Sequence, residues 1–250
     1  MLKPLVILAL TCASLHAQVT GAGAAPNAVQ PPRLTNQPVN SVIEWNRTLL
    51  VIVRTPGAQP PTIHSTRSFA ILHAAIYDAV NNIVGDFTPY LVRIADVSPR
   101  TSQVAAVDQA AHDVLVSLYP AFQTTLDEDL QQDLTSIPDG TAKTEGIAVG
   151  QTVAAQILAF RANDGSDVTP PPFQSKNTPG FYRATPPDFT KADFTHWGDV
   201  TPFAIVNADE FLPNPPPALS EKQYTQDLAE VQSIGEIDSR TRTPEQTAIG

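Results

Sequence analysis

Sulfur is nearly absent from this sequence: its 250 residues hold one methionine and one cysteine, Cys12. Cys12 lies inside MLKPLVILALTCASLHAQ, where Lys3 precedes an apolar run at residues 5–10 and small residues lead to Ala17 and Gln18. That is the pattern of a secretory signal peptide over residues 1–17, with an apolar core too short for a permanent membrane anchor. Cleavage near Ala17 would remove Cys12, so the mature chain is expected to contain no disulfide, thiol nucleophile or thiolate metal ligand. The preceding Ala9-Leu10-Thr11 matches the small-residue pattern of a lipoprotein signal poorly. Basic residues are scarce too. Fifteen Lys and Arg against 25 Asp and Glu leave a formal charge of -10, which argues against nucleic acid or an anionic membrane as partner, since both reward clustered cations.

Other familiar signals are missing. No segment alternates polar and apolar residues long enough to form a strand, so the expected fold class is all-α. Gly146 and Gly150 form a GxxxG pair, but no strand precedes it and no Lys-Ser or Lys-Thr follows, so a phosphate-cradling loop is excluded and close helix approach is expected. His64, His112 and His196 show neither HExxH spacing nor a histidine and carboxylate cluster within one turn, so no local metal site is expected. Asn46-Arg47-Thr48 fits a glycosylation acceptor but falls in an expected helix.

What is present is helix punctuation. Residues 18–37, rich in Gly, Ala and Pro, read as a flexible leader. Residues 38–167 read as a helical domain. Ser41-Val42-Ile43-Glu44 is a capping box opening a helix to about Arg54. Thr62 or Ser65 can cap the next, which runs to about Val84 before Gly85. Ser98-Pro99 gives a cap and a first-turn proline for a helix ending near Tyr119-Pro120. A short helix over 122–134 follows. Pro138-Asp139-Gly140 then turns the chain into a long helix closed at Asn163-Asp164-Gly165, where glycine can take the left-handed conformation. Residues 168–217 hold eleven of the 24 prolines and eight aromatic rings. Because disordered linkers are poor in aromatics, this stretch is expected to be an extended arm docking its rings on the helical body. Residues 218–250 read as the start of a further helical part: a helix from Ser220-Glu221 to Ile234-Gly235, then a capping box at Thr243-Pro244-Glu245-Gln246 with little chain behind it. A helix below roughly 12 residues is marginal unless packed, so the chain reads as ending inside a helix.

Residues 67–83, RSFAILHAAIYDAVNNI, carry His73, Tyr77 and Asp78 in an otherwise apolar run. At helical periodicity Leu72, Ile83, Ile76, Phe69, Val80, His73, Val84 and Tyr77 share one side, with Arg67, Asp78, Asn81 and Asn82 opposite. Asp78 and His73 are then about 140° apart around the axis, too far to meet on one substrate atom. The trio is therefore expected to tie a buried helix to its neighbours, with Arg67 and Asp78 supplying hydrogen bonds.

Several stretches, in order, resemble the N-terminal half of bacterial vanadium-dependent haloperoxidases of the type 2 phosphatidic acid phosphatase superfamily. They are Glu44-Trp45-Asn46, the segment 67–80, Pro138-Asp139-Gly140-Thr141-Ala142-Lys143, and Gly180-Phe181-Tyr182-Arg183-Ala184-Thr185-Pro186-Pro187. Trp197-Gly198-Asp199-Val200-Thr201-Pro202-Phe203 and Arg240-Thr241-Arg242-Thr243-Pro244-Glu245-Gln246-Thr247 complete the set. The resemblance implies an all-helical bundle with its vanadate or phosphate site in the C-terminal half. There a Lys and Arg-Pro pair, a Pro-Ser-Gly-His stretch and a Ser-Arg segment followed by histidine surround the oxyanion. Several cations, backbone donors and imidazoles suit that task. This sequence contains no Arg-Pro pair and no Ser-Gly-His, so no catalytic, cofactor-binding or metal-ligating residue is assigned to it.

The expectation is thus a secreted or periplasmic N-terminal scaffold of a haloperoxidase-like protein, inactive by itself, with vanadate belonging to a longer parent and a missing C-terminal catalytic half as its partner. A homo-oligomer is left open. Two other readings stay open at this point: a fragment of an acid phosphatase on the same fold, and a free-standing secreted helical binding module.

Overall fold

The computed structural model describes residues 40–59 and 63–249. The expected signal peptide, the whole leader over 18–37 and Thr62 lie outside the described residues. All regular elements among those described are helical: α1 (Ser41–Arg54), α2 (His64–Val84), α3 (Gln103–Leu118), a 3-10 turn Pro120–Phe122, α4 (Gln123–Thr135), α5 (Thr141–Arg161), a 3-10 turn Trp197–Asp199, α6 (Lys222–Gly235) and α7 (Pro244–Ile249). None is long and apolar enough to cross a membrane. The chain forms two compact units, Met1–Ala159 and Phe160–Gly250.

Glycine and proline stop the helices where the sequence says they should. Gly85 ends α2 at φ 77°, its N–H donating to the Asn81 carbonyl at 2.8 Å, a conformation that costs glycine little. Gly165 is left-handed at φ 92°, shortly after α5. Thr243 and Gln246 close the expected capping box reciprocally, Thr243 N–H to Gln246 Oε1 at 2.9 Å and Gln246 N–H to Thr243 Oγ1 at 3.1 Å.

Other starts shift. Asn40, not Ser41, caps α1, its Oδ1 accepting from the Val42 N–H at 2.9 Å. Glu44 pairs with Arg47 at 2.8 Å instead of reaching back. Asn and Ser cap about equally well, so either residue could serve. Ser98-Pro99 forms a turn, and α3 begins only after Ser102, whose hydroxyl accepts from the Ala105 N–H. No side chain caps α2, which starts after Ile63, or α6, which starts after Glu221.

In the first unit α3 is central. Nine of its sixteen residues are buried, which requires neighbours on more than one side, and it packs on α1, α2 and α4. Trp45, Leu49 and Ile52 come from α1, Ile71, Leu72, Ile76 and Ile83 from α2, and Val114 and Leu115 from α3. Ala105, Ala106, Ala110 and Ala111 are small enough to let neighbouring backbones close in.

The GxxxG pair uses that space. A Cβ at Gly146 would stand 2.5 Å from the Ser102 carbonyl oxygen, and one at Gly150 2.6 Å from that of Ala106. Those obstacles are backbone atoms of the α3 segment and cannot swing aside. In an open helix Gly to Ala gains about 1 kcal/mol. Gly150→Ala is expected to reverse that sign and cost about 2–3 kcal/mol through overpacking, read as a lower midpoint in thermal unfolding. A raised midpoint would contradict the close approach.

In the second unit five of the arm's eight rings lie at the surface. Phe173, Phe181, Tyr182, Phe189 and Phe211 are 46–75% exposed. Several rings find one another or a cation: Phe173 meets Tyr182 edge-on at 5.5 Å, and the Lys176 ammonium lies 4.6 Å from the Phe181 centroid. Within the arm, residues 201–203 are held by Arg161. That guanidinium is 1% exposed, pairs with Asp164 at 2.7 Å, donates to the Thr201 and Pro202 carbonyls at 2.7 and 3.2 Å, and stacks 3.8 Å from the Phe203 centroid.

Candidate functional site

The polar trio of α2 is the natural place to look for chemistry, and each member is already engaged. Asp78 is fully buried, its two carboxylate oxygens accepting from the backbone N–H groups of Tyr90, Leu91 and Val92 at 2.6, 2.9 and 2.7 Å. Asn81 and Asn82 extend this grip. Asn81 bonds both the N–H and the carbonyl of Phe87, and Asn82 bonds the Ile94 N–H and the Val92 carbonyl. Together they template the loop over 85–95. The helical periodicity placed these residues opposite the apolar stripe, and the structure buries Asp78 and Asn81 there all the same. A polar face can be buried when a facing backbone satisfies each of its groups.

Tyr77 goes the other way. Assigned to the apolar side, it is 40% exposed and gives its hydroxyl to the Thr88 carbonyl at 2.8 Å; Val84 is exposed as well. His73 lies at the edge, with Nε2 2.9 Å from Asn46 Oδ1 on α1 and its ring stacked on Phe69. Burial pulls its pKa below the ordinary value, so it stays neutral in neutral solution. The three side chains thus reach a loop, another loop position and α1, and do not converge.

The strongest titratable cluster is one the sequence reading excluded. His112 presents Nδ1 to Asp113 Oδ1 at 2.8 Å and Nε2 to Asp127 Oδ1 at 2.7 Å. Gln109 Nε2 also donates to Asp113 Oδ1, at 2.8 Å. Trp45 meets the imidazole edge-on, while its indole N–H goes to Asp108 at 3.0 Å. Burial by itself would lower the imidazole pKa, but the hydrogen bonds and charges of Asp113 and Asp127 outweigh it and raise the value. Two signals were available. Asp113 is the next residue, and the Tyr119-Pro120 turn folds α4 back along α3, so that positions seven before and eight after Tyr119 come opposite. With both ring nitrogens occupied, this histidine has no free site with which to take a substrate proton.

An oxyanion pocket needs several cations and donors aimed at one point. Four cations here are each taken by partners close in sequence: Arg47 meets Glu44, Lys143 meets Asp139, Arg161 meets Asp164, and Arg242 donates to the carbonyls of Ile234, Glu236 and Ile237. Among the described residues no group of three or more His, Cys, Asp or Glu is arranged to hold a metal ion. Among the described residues, these four cations are thus each paired with a different partner.

The architecture, helices only with α3 at the centre of the first unit, has the helical vanadium haloperoxidase fold. It is similar to the crystal structure of the first bacterial vanadium-dependent iodoperoxidase, with a TM-score of 0.57 and 21% identity over 79% of this chain and 52% of that one. The chain spans about half the length of that structure. No protein-family model matches the chain, and no curated protein does.

Proposed function

We propose that this chain is the N-terminal scaffold portion of a secreted vanadium-dependent haloperoxidase-like protein, carrying no turnover of its own. The observation that carries the proposal is the likeness in fold to an iodoperoxidase across four fifths of this chain but only half of that enzyme. It is supported by the fate of the polar side chains. Asp78, His73, Tyr77 and Arg161 are committed to holding helices, loop and arm in place, and the Arg-Pro and Ser-Gly-His pairs expected of the oxyanion site are absent from the sequence. In this reading α1, α2 and α5 supply scaffold and pocket wall, and peroxide-driven halide oxidation belongs to the whole protein, with vanadate bound by residues beyond these 250.

Iodide and bromide oxidation with vanadate and hydrogen peroxide tests this on the 250-residue chain and on the chain extended through its downstream reading frame. Turnover in the extended protein alone is the expected result. Turnover by the 250 residues would overturn the proposal. Phosphate-ester hydrolysis inhibited by vanadate, with no halide oxidation, would assign the parent to the phosphatases of the same superfamily.

A further inference from the structure

We propose that His112 is a protonation-dependent clamp that pins α4 to α3 only while its ring carries both protons. The geometry demands this. A neutral imidazole has one N–H and one lone pair, yet both nitrogens of His112 stand 2.7–2.8 Å from carboxylate oxygens. Only the imidazolium can donate to both. Once a proton is lost, one nitrogen lone pair points at a carboxylate at hydrogen-bond distance, and one contact must open.

Which contact opens follows from the surroundings. Asp113 neighbours His112 on the same helix and is also held by Gln109 Nε2. Asp127 is on α4, its side chain half exposed, with water available when it swings away. From α1 the group facing the ring is the uncharged indole of Trp45, and Asp108, one turn back on α3, is turned to that indole N–H. The charges that act on the ring are thus the two carboxylates, and the interhelical one is the free mover. Of the thirteen residues of α4, Leu126 and Asp129 are buried.

The direction with pH is fixed. A group whose folded pKa lies above its unfolded value contributes fully below the unfolded value and loses that contribution as pH rises through the folded one. Here the unfolded value is near 6.5 and the folded one is raised. The clamp is closed in mildly acidic solution and opens in alkaline solution.

Amide hydrogen exchange along α4, corrected for intrinsic rates, reads the clamp at about pH 6 and about pH 9. The expected result is a loss of α4 protection of about tenfold or more at the higher pH, with α3 unchanged. Asp127→Asn is the control: an amide can accept from the protonated ring or donate to the neutral one, so α4 protection should become independent of pH. Because position 127 is half exposed, the variant is expected to fold. Equal protection of α4 at both pH values in the unaltered chain would overturn the proposal. So would a drop of the same size in Asp127→Asn.

Discussion

Replacing Asp78 by alanine is expected to destabilise the first unit by about 3–5 kcal/mol, although the residue touches no ligand. Hydrogen bonds to a charged group contribute about 1.5–3 kcal/mol each, and Asp78 accepts three from the loop backbone. The sum is discounted because the Tyr90 and Leu91 positions are partly exposed and their N–H groups can find water. Val92 is fully buried, so its N–H is stranded at the full desolvation cost. Asp78→Asn should lose less, about 2–3 kcal/mol, because one oxygen still accepts while the new NH2 faces donors. Urea unfolding followed through the fluorescence of Trp45 in a Trp197→Phe background measures both. The sign separates architecture from chemistry, since residues kept for catalysis are often neutral or even unfavourable for stability. An Asp78→Ala chain as stable as the parent would return the trio to the list of catalytic candidates.

The second large effect is expected at Arg161. Removing one partner of a buried ion pair leaves an uncompensated charge and typically costs about 3–5 kcal/mol. Arg161→Ala strips Asp164 of its partner and the Thr201 and Pro202 carbonyls of their donor, and takes the flat cation from the face of Phe203. Arg161→Lys keeps the charge but not the fork, so it should recover only part of the loss. Asp164 retains the Ser166 N–H at 3.0 Å, which tempers the cost. Limited proteolysis within residues 168–217 is the sensitive readout, because the guanidinium holds residues 201–203 of the arm against the end of α5. Cleavage there should accelerate tenfold or more in Arg161→Ala. Unchanged cleavage and an unchanged unfolding midpoint would show that the arm is held by other means.

The fold was legible in the sequence wherever a residue can do only one thing. Gly85 and Gly165 are left-handed, Pro120 and the Pro138-Asp139-Gly140 turn break helices, and Thr243 with Gln246 forms its box. It was less legible where two residues compete for one job: Asn40 displaced Ser41, and Ser102 displaced Ser98. The expectation that Asp78 ties α2 to its surroundings by hydrogen bonds is met; which backbone it would hold was not legible, because hydropathy does not register a loop ready to satisfy a carboxylate. His112 was missed for a related reason. Its partner Asp127 sits fifteen residues away, beyond any single-turn pattern, and is brought near only by the fold of α4 on α3. The eight rings of the proline-rich arm predicted burial, but rings can also pair with one another at the surface, as Phe173 and Tyr182 do.

The central proposal is that the polar side chains of α2 and Arg161 serve to hold helices, loop and arm segments in place and do not converge on an oxyanion. Vanadium NMR of orthovanadate titrated with the purified chain measures this directly. The account predicts no saturable binding and a vanadate signal that stays that of the free ion. A saturable bound signal, lost on substituting a side chain of this chain such as His112 or Arg67, would contradict it.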